Sequence, residues 1–272
     1  MGPPASRRRA LELTGLTLAA ALPGCASVAD RFSSGSDPGD SDSNSSAGNA
    51  VARGDSSTDD PTSSGSANES SASDEPLAVT APDVSFADAP LPDDPGSHPY
   101  ARMGTGADVT ATAFGNWKCP YTRAMVVEYL PSVVSTFVRP GDLDLEFRFL
   151  AYRSGDPFLG ADAPRATRAG LAVWDDAPES YWSYFSHVFA NQPSSDERWA
   201  TPTALGQLAD AAGANGSLDD RLDGDDARLD RTVAAARERS VYSVPRLVVD
   251  GEVFAPTIEP AITTDALAAA TK

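Results

Sequence analysis

The chain has 272 residues, and its 21 Lys and Arg residues against 39 Asp and Glu residues give a formal net charge of −18. Nucleic-acid phosphates demand clustered cations, so this balance excludes DNA and RNA as partners. The first hundred residues differ in composition from the rest, and the length therefore indicates one folded domain. We interpret the acidic composition as adaptation to high salt, which screens the repulsion between carboxylates; the alternative is an ordinary acidic surface.

Residues 1–25 have the pattern of an export signal. Ser6-Arg7-Arg8-Arg9 carries the paired arginines of a Tat-type signal, and the apolar run from Leu13 to Leu22 is too short to span a bilayer. Leu22-Pro23-Gly24-Cys25 resembles a lipobox. Cleavage there would leave Cys25 as a lipid-modified N-terminus that anchors the protein to the outer face of the cytoplasmic membrane. The alternative is a plain secretory signal and a secreted protein.

Residues 26–100 are rich in Ser, Asp, Gly, Asn and Pro. A segment of this composition cannot bury enough apolar surface to fold, so we predict a disordered tether. The folded domain is predicted at 101–272.

The domain begins with a strand, a helix and a second strand. An alternating apolar run from Val109 to Phe114 ends in Gly115-Asn116, and a helical pattern then opens at Cys119. Leu143, Leu145, Phe147 and Phe149 alternate with charged residues, which predicts a half-buried strand. This order is typical of a βαβ unit with parallel strands. Pro131 is expected to kink the helix.

A helical insertion is predicted at about 160–241. Pro164 and Pro178 suit first helical turns, and Thr201-Pro202 suits a helix start. The aromatic residues of 182–189 are interpreted as core packing. After the insertion, Asp250-Gly251 between two β-rich runs predicts a hairpin with a primed turn.

Cys119 is the candidate reactive group. Pro120 suits the first helical position, and the free amide groups and dipole of a helix start favour an anion there. The thiolate, which is the reactive form, is therefore favoured at Cys119. Lys118 adds a cation with no carboxylate beside it in sequence, so we expect it to tune the thiolate.

The motifs together resemble the DsbA-like branch of the thioredoxin superfamily. They are the Cys119-Pro120-Tyr121 helix start and, about 125 residues later, the Val244-Pro245 strand with its hairpin. The resemblance implies an α/β thioredoxin-like fold, with a mixed sheet flanked by helices and a helical insertion. It also implies that Pro245 is cis and faces the thiol, and that the backbone of Val244 pairs with an extended substrate peptide.

The chain departs from this family at the second cysteine of the Cys-x-x-Cys motif, where it has Thr122. With Cys25 lipid-modified, Cys119 is the one remaining thiol, and no disulfide can form within the mature chain. Cys119 could still form mixed disulfides, with the Thr122 hydroxyl donating a hydrogen bond to the sulfur. A working thiol at such a site is expected to be accessible to partners.

Two functions follow as alternatives. The first is monothiol exchange, or isomerase-like chemistry, with exported cysteine-containing proteins or small thiols as partners and no cofactor. The second is a redox-inactive module that binds peptides or proteins. A metal site is not expected, because His98 and His187 form no ligand spacing with Cys119. A hydrolase is not expected either, since no nucleophile elbow or paired histidine accompanies the serines.

Overall fold

The computed structural model describes residues 76–214, 216 and 218–272. The predicted signal, Cys25 with its lipobox, and the tether up to residue 75 lie outside the described residues. Within the described ranges, no helix combines the length and the apolar composition needed to cross a membrane.

The strands of the described residues are β1 Arg102–Met103, β2 Thr110–Gly115, β3 Asp144–Phe149, β4 Tyr152–Arg153, β5 Asp156–Pro157, β6 Arg246–Val249 and β7 Glu252–Phe254. Five of them form a sheet with the strand order β1-β3-β2-β6-β7. Strand β2 runs parallel to β3, whereas the other neighbouring pairs are antiparallel. The predicted βαβ unit and the mixed sheet are therefore confirmed. A separate hairpin pairs β4 with β5.

A long helix connects β2 to β3. In the described part of the insertion, five helices lie between the βαβ unit and the β6–β7 hairpin. The long helix consists of α1 Pro120–Ala124, a π-helical turn Met125–Tyr129, α2 Leu130–Val133 and a second π-helical turn Val134–Val138. The insertion contains α3 Ala163–Asp176, α4 Pro178–Asn191, α5 Pro202–Ala211, α6 Asp219–Leu222 and α7 Ala227–Glu238, and α8 Pro260–Ala270 follows the hairpin.

Both faces of the sheet are covered. Alternate residues of a strand point to opposite faces, and those of β6 pack in two different apolar clusters. Leu247 and Val249 of β6 belong to the main apolar core, which also contains the long helix, α3 and α4. Val248, between them, belongs to a second cluster with Ala235 and Ala236 of α7. This layering confirms the expected thioredoxin-like class of a mixed sheet flanked by helices.

Strand β3 differs from the half-buried strand that its alternation predicts. Its acidic residues Asp144 and Glu146 are buried as well as its apolar ones. The reason is that β3 lies between β1 and β2, and Arg102 of β1 contacts both carboxylates at 3.7 and 3.6 Å. Asp144 Oδ1 also accepts hydrogen bonds from the N–H groups of Gly106 and Ala107.

The distortion expected at Pro131 takes the form of wide helical turns. Pro131 is the second residue of α2, and Leu130 separates it from the end of the first π-helical turn at Tyr129. A π-helical turn is one way in which a helix accommodates a residue that cannot donate to the ladder. The apolar face expected on this helix is buried, at Val126, Leu130, Val133, Val134 and Phe137.

The boundary predicted between the tether and the domain, at residue 100, lies too late in the sequence. Residues 76–100 contact the folded part, and Phe86 is buried with its ring edge against Phe185 at 5.9 Å. The N–H of Phe86 donates a hydrogen bond to Ser186 Oγ, and the N–H of Thr80 donates one to Asn191 Oδ1. The average composition concealed a few apolar side chains that pack on the core, namely Leu77, Val79, Val84, Phe86 and Leu91.

The remaining local predictions are confirmed. Pro164 lies in the first turn of α3 and Pro178 begins α4. Thr201 caps α5 by accepting from the N–H of Ala204. Asp250 and Gly251 have φ values of 49° and 84°, and positive φ at both residues is what a type I′ turn requires.

Candidate active site

Cys119 occupies the start of the long helix, as the sequence predicts. It is the N-cap residue of α1, with an extended backbone (φ −81°, ψ 121°), and Pro120 is the first helical residue. The carbonyl oxygen of Cys119 accepts from the N–H of Arg123 at 3.0 Å, which closes the first turn.

The thiol faces the segment just before strand β6, which the family resemblance assigns to substrate docking. Cys119 Sγ lies 3.8 Å from the carbonyl oxygen of Val244, and the Val244–Pro245 peptide bond is cis. The structure therefore brings together residues that are 125 positions apart in sequence. Among the described residues, this carbonyl is the one hydrogen-bond partner of the sulfur.

Cys119 is far less accessible than expected. It is 4% exposed, so the expectation of an openly accessible thiol is wrong. Cys119 belongs to a cluster of buried apolar residues. Strands β2 and β6, the β4–β5 region and helix α7 with the segment after it contribute its members. The other buried members are Phe114, Leu150, Phe158, Ala235, Ala236, Val241, Val244 and Val248.

Thr122 is buried beside the thiol segment but makes a different hydrogen bond from the one expected. Its Oγ1 accepts from the N–H of Asn116 at 3.2 Å. Its methyl group packs on Gly115, where an added Cβ would lie 2.9 Å from Thr122 Cγ2. In the described part of the chain, no hydrogen bond joins Thr122 to the sulfur.

Lys118 does not provide the free cation expected next to the thiolate. Its side chain is 1% exposed, and its Nζ forms a short ion pair with Asp162 Oδ1 and donates to the carbonyl of Glu197 at 2.9 Å. The prediction failed because the nearest carboxylate comes from the insertion, 44 residues later. Sequence neighbours gave no sign of this partner.

The side chain of Asn116 connects three backbone segments around the site. The sequence pattern indicated this residue only as the end of the first strand. Its Nδ2 donates to the carbonyls of Leu150 and Phe158, both at 2.9 Å, and its Oδ1 accepts from the N–H of Lys118 at 2.7 Å. The available signal was an amide side chain at the carboxyl end of a buried strand. Such a side chain can bond backbone groups of neighbouring loops.

Two further residues fix the segment before Cys119. Gln192, at the end of α4, donates from Nε2 to the carbonyl of Trp117 at 2.7 Å and to that of Cys119 at 3.5 Å. Trp117 stacks between Phe149 and Phe189, with ring centroids 4.0 and 5.3 Å away. The aromatic residues of α4 therefore serve as core packing behind the site, as predicted.

Two large aromatic side chains that are close in sequence to Cys119 and Val244 are exposed. Tyr121, two residues after Cys119, is 67% exposed, and Tyr242, two residues before Val244, is 71% exposed. They flank in sequence the two partners of the sulfur–carbonyl contact.

The described residues contain one free cysteine, Cys119. Within them, no group of three or more His, Cys, Asp or Glu side chains is arranged to hold a metal ion. His187 contacts the carbonyl of Ser183 within its own helix, and the His98 carbonyl accepts from the Trp174 indole.

Comparison with known proteins gives a consistent assignment. A family model described as thioredoxin matches residues 103–269. The chain is 31% identical, over 103 residues, to a Bacillus subtilis (strain 168) protein named disulfide bond formation protein D. That match covers 38% of this chain and 44% of the relative, so the chain matches less than half the length of this curated relative. A second relative, a probable disulfide bond formation protein D of Bacillus anthracis, is 28% identical over 99 residues, covering 36% of this chain and 43% of the relative.

Solved structures share the fold. Oxidised BdbD from Bacillus subtilis superposes with a TM-score of 0.55 at 21% identity, covering 67% of this chain and 97% of that one. A thioredoxin-like oxidoreductase from Silicibacter pomeroyi DSS-3 gives a TM-score of 0.51 at 20% identity, covering 66% and 98%.

Proposed function

Because the chain belongs to the thioredoxin family, we propose that it is an extracytoplasmic thiol–disulfide exchange protein that uses Cys119 as its single nucleophile. The observation that carries this proposal is the contact of 3.8 Å between Cys119 Sγ and the carbonyl of Val244, beside cis Pro245. A thiol at a helix start that faces the backbone just before strand β6 is arranged to attack a disulfide held along that backbone. The name of the Bacillus subtilis relative supports exchange chemistry.

The reaction conserves electrons at each step. The Cys119 thiolate attacks one sulfur of a substrate disulfide, a bond forms between these two sulfurs, and the other substrate sulfur leaves as a thiolate. A second thiolate then attacks the substrate sulfur of this mixed disulfide and releases Cys119 again. If that thiolate belongs to the same substrate, the net result is isomerisation. If it is a small thiol, the substrate sulfur leaves in a mixed disulfide with that thiol, and a second small thiol then attacks this bond, which releases the reduced substrate and forms the small-thiol disulfide.

Substrate docking is proposed at the strand start. The backbone of Val244 would pair with an extended substrate segment, with Pro245 setting the direction of the strand and Tyr121 offering exposed aromatic surface. Pro120 would contribute by starting the helix, and Thr122 by completing the motif without a resolving thiol. Because Cys119 is 4% exposed, a substrate must first displace part of the apolar cover of its sulfur.

The proposed location follows from the N-terminal sequence. The Tat-type signal and lipidated Cys25 would place the domain on the outer face of the cytoplasmic membrane, at the end of a flexible tether; a secreted form is the alternative. The partners would be exported cysteine-containing proteins or small thiols. The acidic surface would suit a high-salt environment.

A second candidate function is a redox-inactive module that binds peptides. The burial of Cys119 favours it, because a nucleophile must be reached by its substrate. In this case the Val244 strand would hold a partner without any covalent step.

Trapping of mixed disulfides distinguishes the two candidates. The full chain with Cys25→Ser is incubated with an unfolded protein that carries disulfides, quenched with acid and alkylating agent, and analysed by mass spectrometry. We expect covalent adducts on Cys119, and roughly a hundredfold fewer adducts when Cys119 is replaced by Ser, because a hydroxyl is not ionised at neutral pH. Non-covalent binding that is equal in both proteins, with no adduct in either, would leave the binding module as the function.

A further inference from the structure

The side chain of Lys118 connects the cysteine segment to the helical insertion. It is buried, and its ammonium group contacts Asp162 and the carbonyl of Glu197. Asp162 precedes α3 and Glu197 lies between α4 and α5. One side chain, next to Cys119 in the chain, therefore bonds two loops of the insertion.

Asp162 extends this connection to a third segment. One carboxylate oxygen pairs with Lys118 Nζ, and the other accepts from the N–H of Ala200 at 3.0 Å. Asp162 stands at the N-cap position of α3, yet its side chain makes no capping bond to that helix. The carboxylate thus serves contacts between segments instead of its own helix start.

The chain closes over the ion pair at Gly160. A Cβ at this position would lie 2.5 Å from Lys118 Nζ and 2.9 Å from Asp162 Oδ1, and φ there is +115°. Both the space and the backbone conformation therefore require glycine. A charged pair enclosed in this way is satisfied by its partners and is removed from solvent.

The segment of Cys119 is held from another side as well. Gln192 bonds the carbonyls of Trp117 and Cys119, and Asn116 Oδ1 bonds the N–H of Lys118. None of these groups, nor the ammonium, has a hydrogen bond to the sulfur among the described residues. Lys118 is therefore placed to control where Cys119 lies, with its charge already matched by Asp162.

We propose that Lys118 is a positioning residue: through its buried pair with Asp162, it holds Cys119 in its covered position against Val244. Its ammonium charge does not act on the sulfur. This inference concerns the placement of the thiol and holds whether or not Cys119 turns over, so it stands apart from the proposed exchange function.

The test uses variants for which positioning and charge tuning predict different results. In the full-length protein, alkylation of Cys119 by iodoacetamide is followed on its peptide by mass spectrometry across a range of pH. If the charge acted on the sulfur, Lys118→Met would slow alkylation, Asp162→Asn would accelerate it by leaving the ammonium unpaired, and Lys118→Arg would resemble the wild type.

If Lys118 positions Cys119, all three variants should change the alkylation rate in the same direction. Each should raise the alkylation rate roughly tenfold by releasing Cys119 from its cover, without moving the pH midpoint, since local opening exposes the group. Arg fails in spite of its charge because the chain at Gly160 leaves no room for a larger head group.

Rescue completes the test. Lys118→Met with Asp162→Asn removes both buried charges and keeps an oxygen at position 162 that can accept from the N–H of Ala200, so it should return the rate to within about threefold of the wild type. Circular dichroism establishes whether each variant is folded. If Lys118→Met does not fold, the alkylation rates of Asp162→Asn and Lys118→Arg test the proposal. Opposite signs, a rate that falls or stays unchanged, a shifted midpoint, or a double variant without rescue would overturn the proposal.

Discussion

Replacing Thr122 by Cys is expected to turn the chain into a dithiol protein that forms an internal disulfide. Residues 119 and 122 are the N-cap and the third residue of α1, so one helical turn joins them. Cα atoms spaced in this way fall within the range of about 4.4–6.8 Å that a disulfide spans. The wild-type domain has one cysteine among its described residues and cannot form this bond.

The substitution should leave the fold intact. Cys is close to Thr in volume, and the methyl contact of Thr122 with Gly115 has a counterpart in the new sulfur. The loss is the hydrogen bond from the N–H of Asn116 to Thr122 Oγ1, which costs about 1 kcal/mol because sulfur is a weaker acceptor. We therefore expect a folded variant that is slightly less stable.

The measurement starts from the Cys25→Ser background treated with oxidised glutathione. Thr122→Cys should lose both free thiols and then oxidise a reduced substrate protein at roughly ten times the rate of the wild type or more, because the dithiol holds an internal disulfide to pass on, whereas the monothiol holds only a mixed disulfide with glutathione. Thr122→Ser serves as the control that keeps the hydroxyl. Two thiols that remain free after mild oxidation would contradict the geometry proposed for the site.

Replacing Asn116 by Ala is expected to destabilise the domain strongly. The change leaves two carbonyls, of Leu150 and Phe158, and the N–H of Lys118 without their partner. Each buried and unsatisfied backbone group costs about 1–3 kcal/mol. Water cannot readily compensate, because Asn116 is itself buried.

The expected sum is on the order of 4 kcal/mol in the free energy of unfolding, which lowers Tm by about 10 °C in a domain of this size. Thermal unfolding in one buffer, followed by circular dichroism, measures the shift. Asn191→Ala is the matched control: this asparagine bonds Thr80 near the surface, and we expect its loss to cost about 1 kcal/mol or less. Equal shifts for the two variants would show that Asn116 has no special role.

The local sequence determined the elements from which the site is built. Pro120 after Cys119 predicted a helix start, and Asp250-Gly251 predicted a hairpin turn; both are present. These predictions succeed because they depend on local backbone properties. Proline has a fixed φ and no N–H, and Asp-Gly tolerates positive φ, so each affects the conformation of only a few neighbouring residues. The pairing of β2 with β3 followed from the βαβ order for a similar reason.

The surroundings of the thiol were decided by the tertiary structure. Lys118 was expected to be a free cation, but its partner Asp162 is 44 residues away, and the cover over Cys119 comes from α7 and the region around Phe158. Burial and charge pairing depend on which distant segments meet, and a sequence window around Cys119 contains none of them. The sequence by itself thus determined a thiol at a helix start and a proline-led strand, whereas the packing of the insertion decided how far that thiol is exposed and which charges face it.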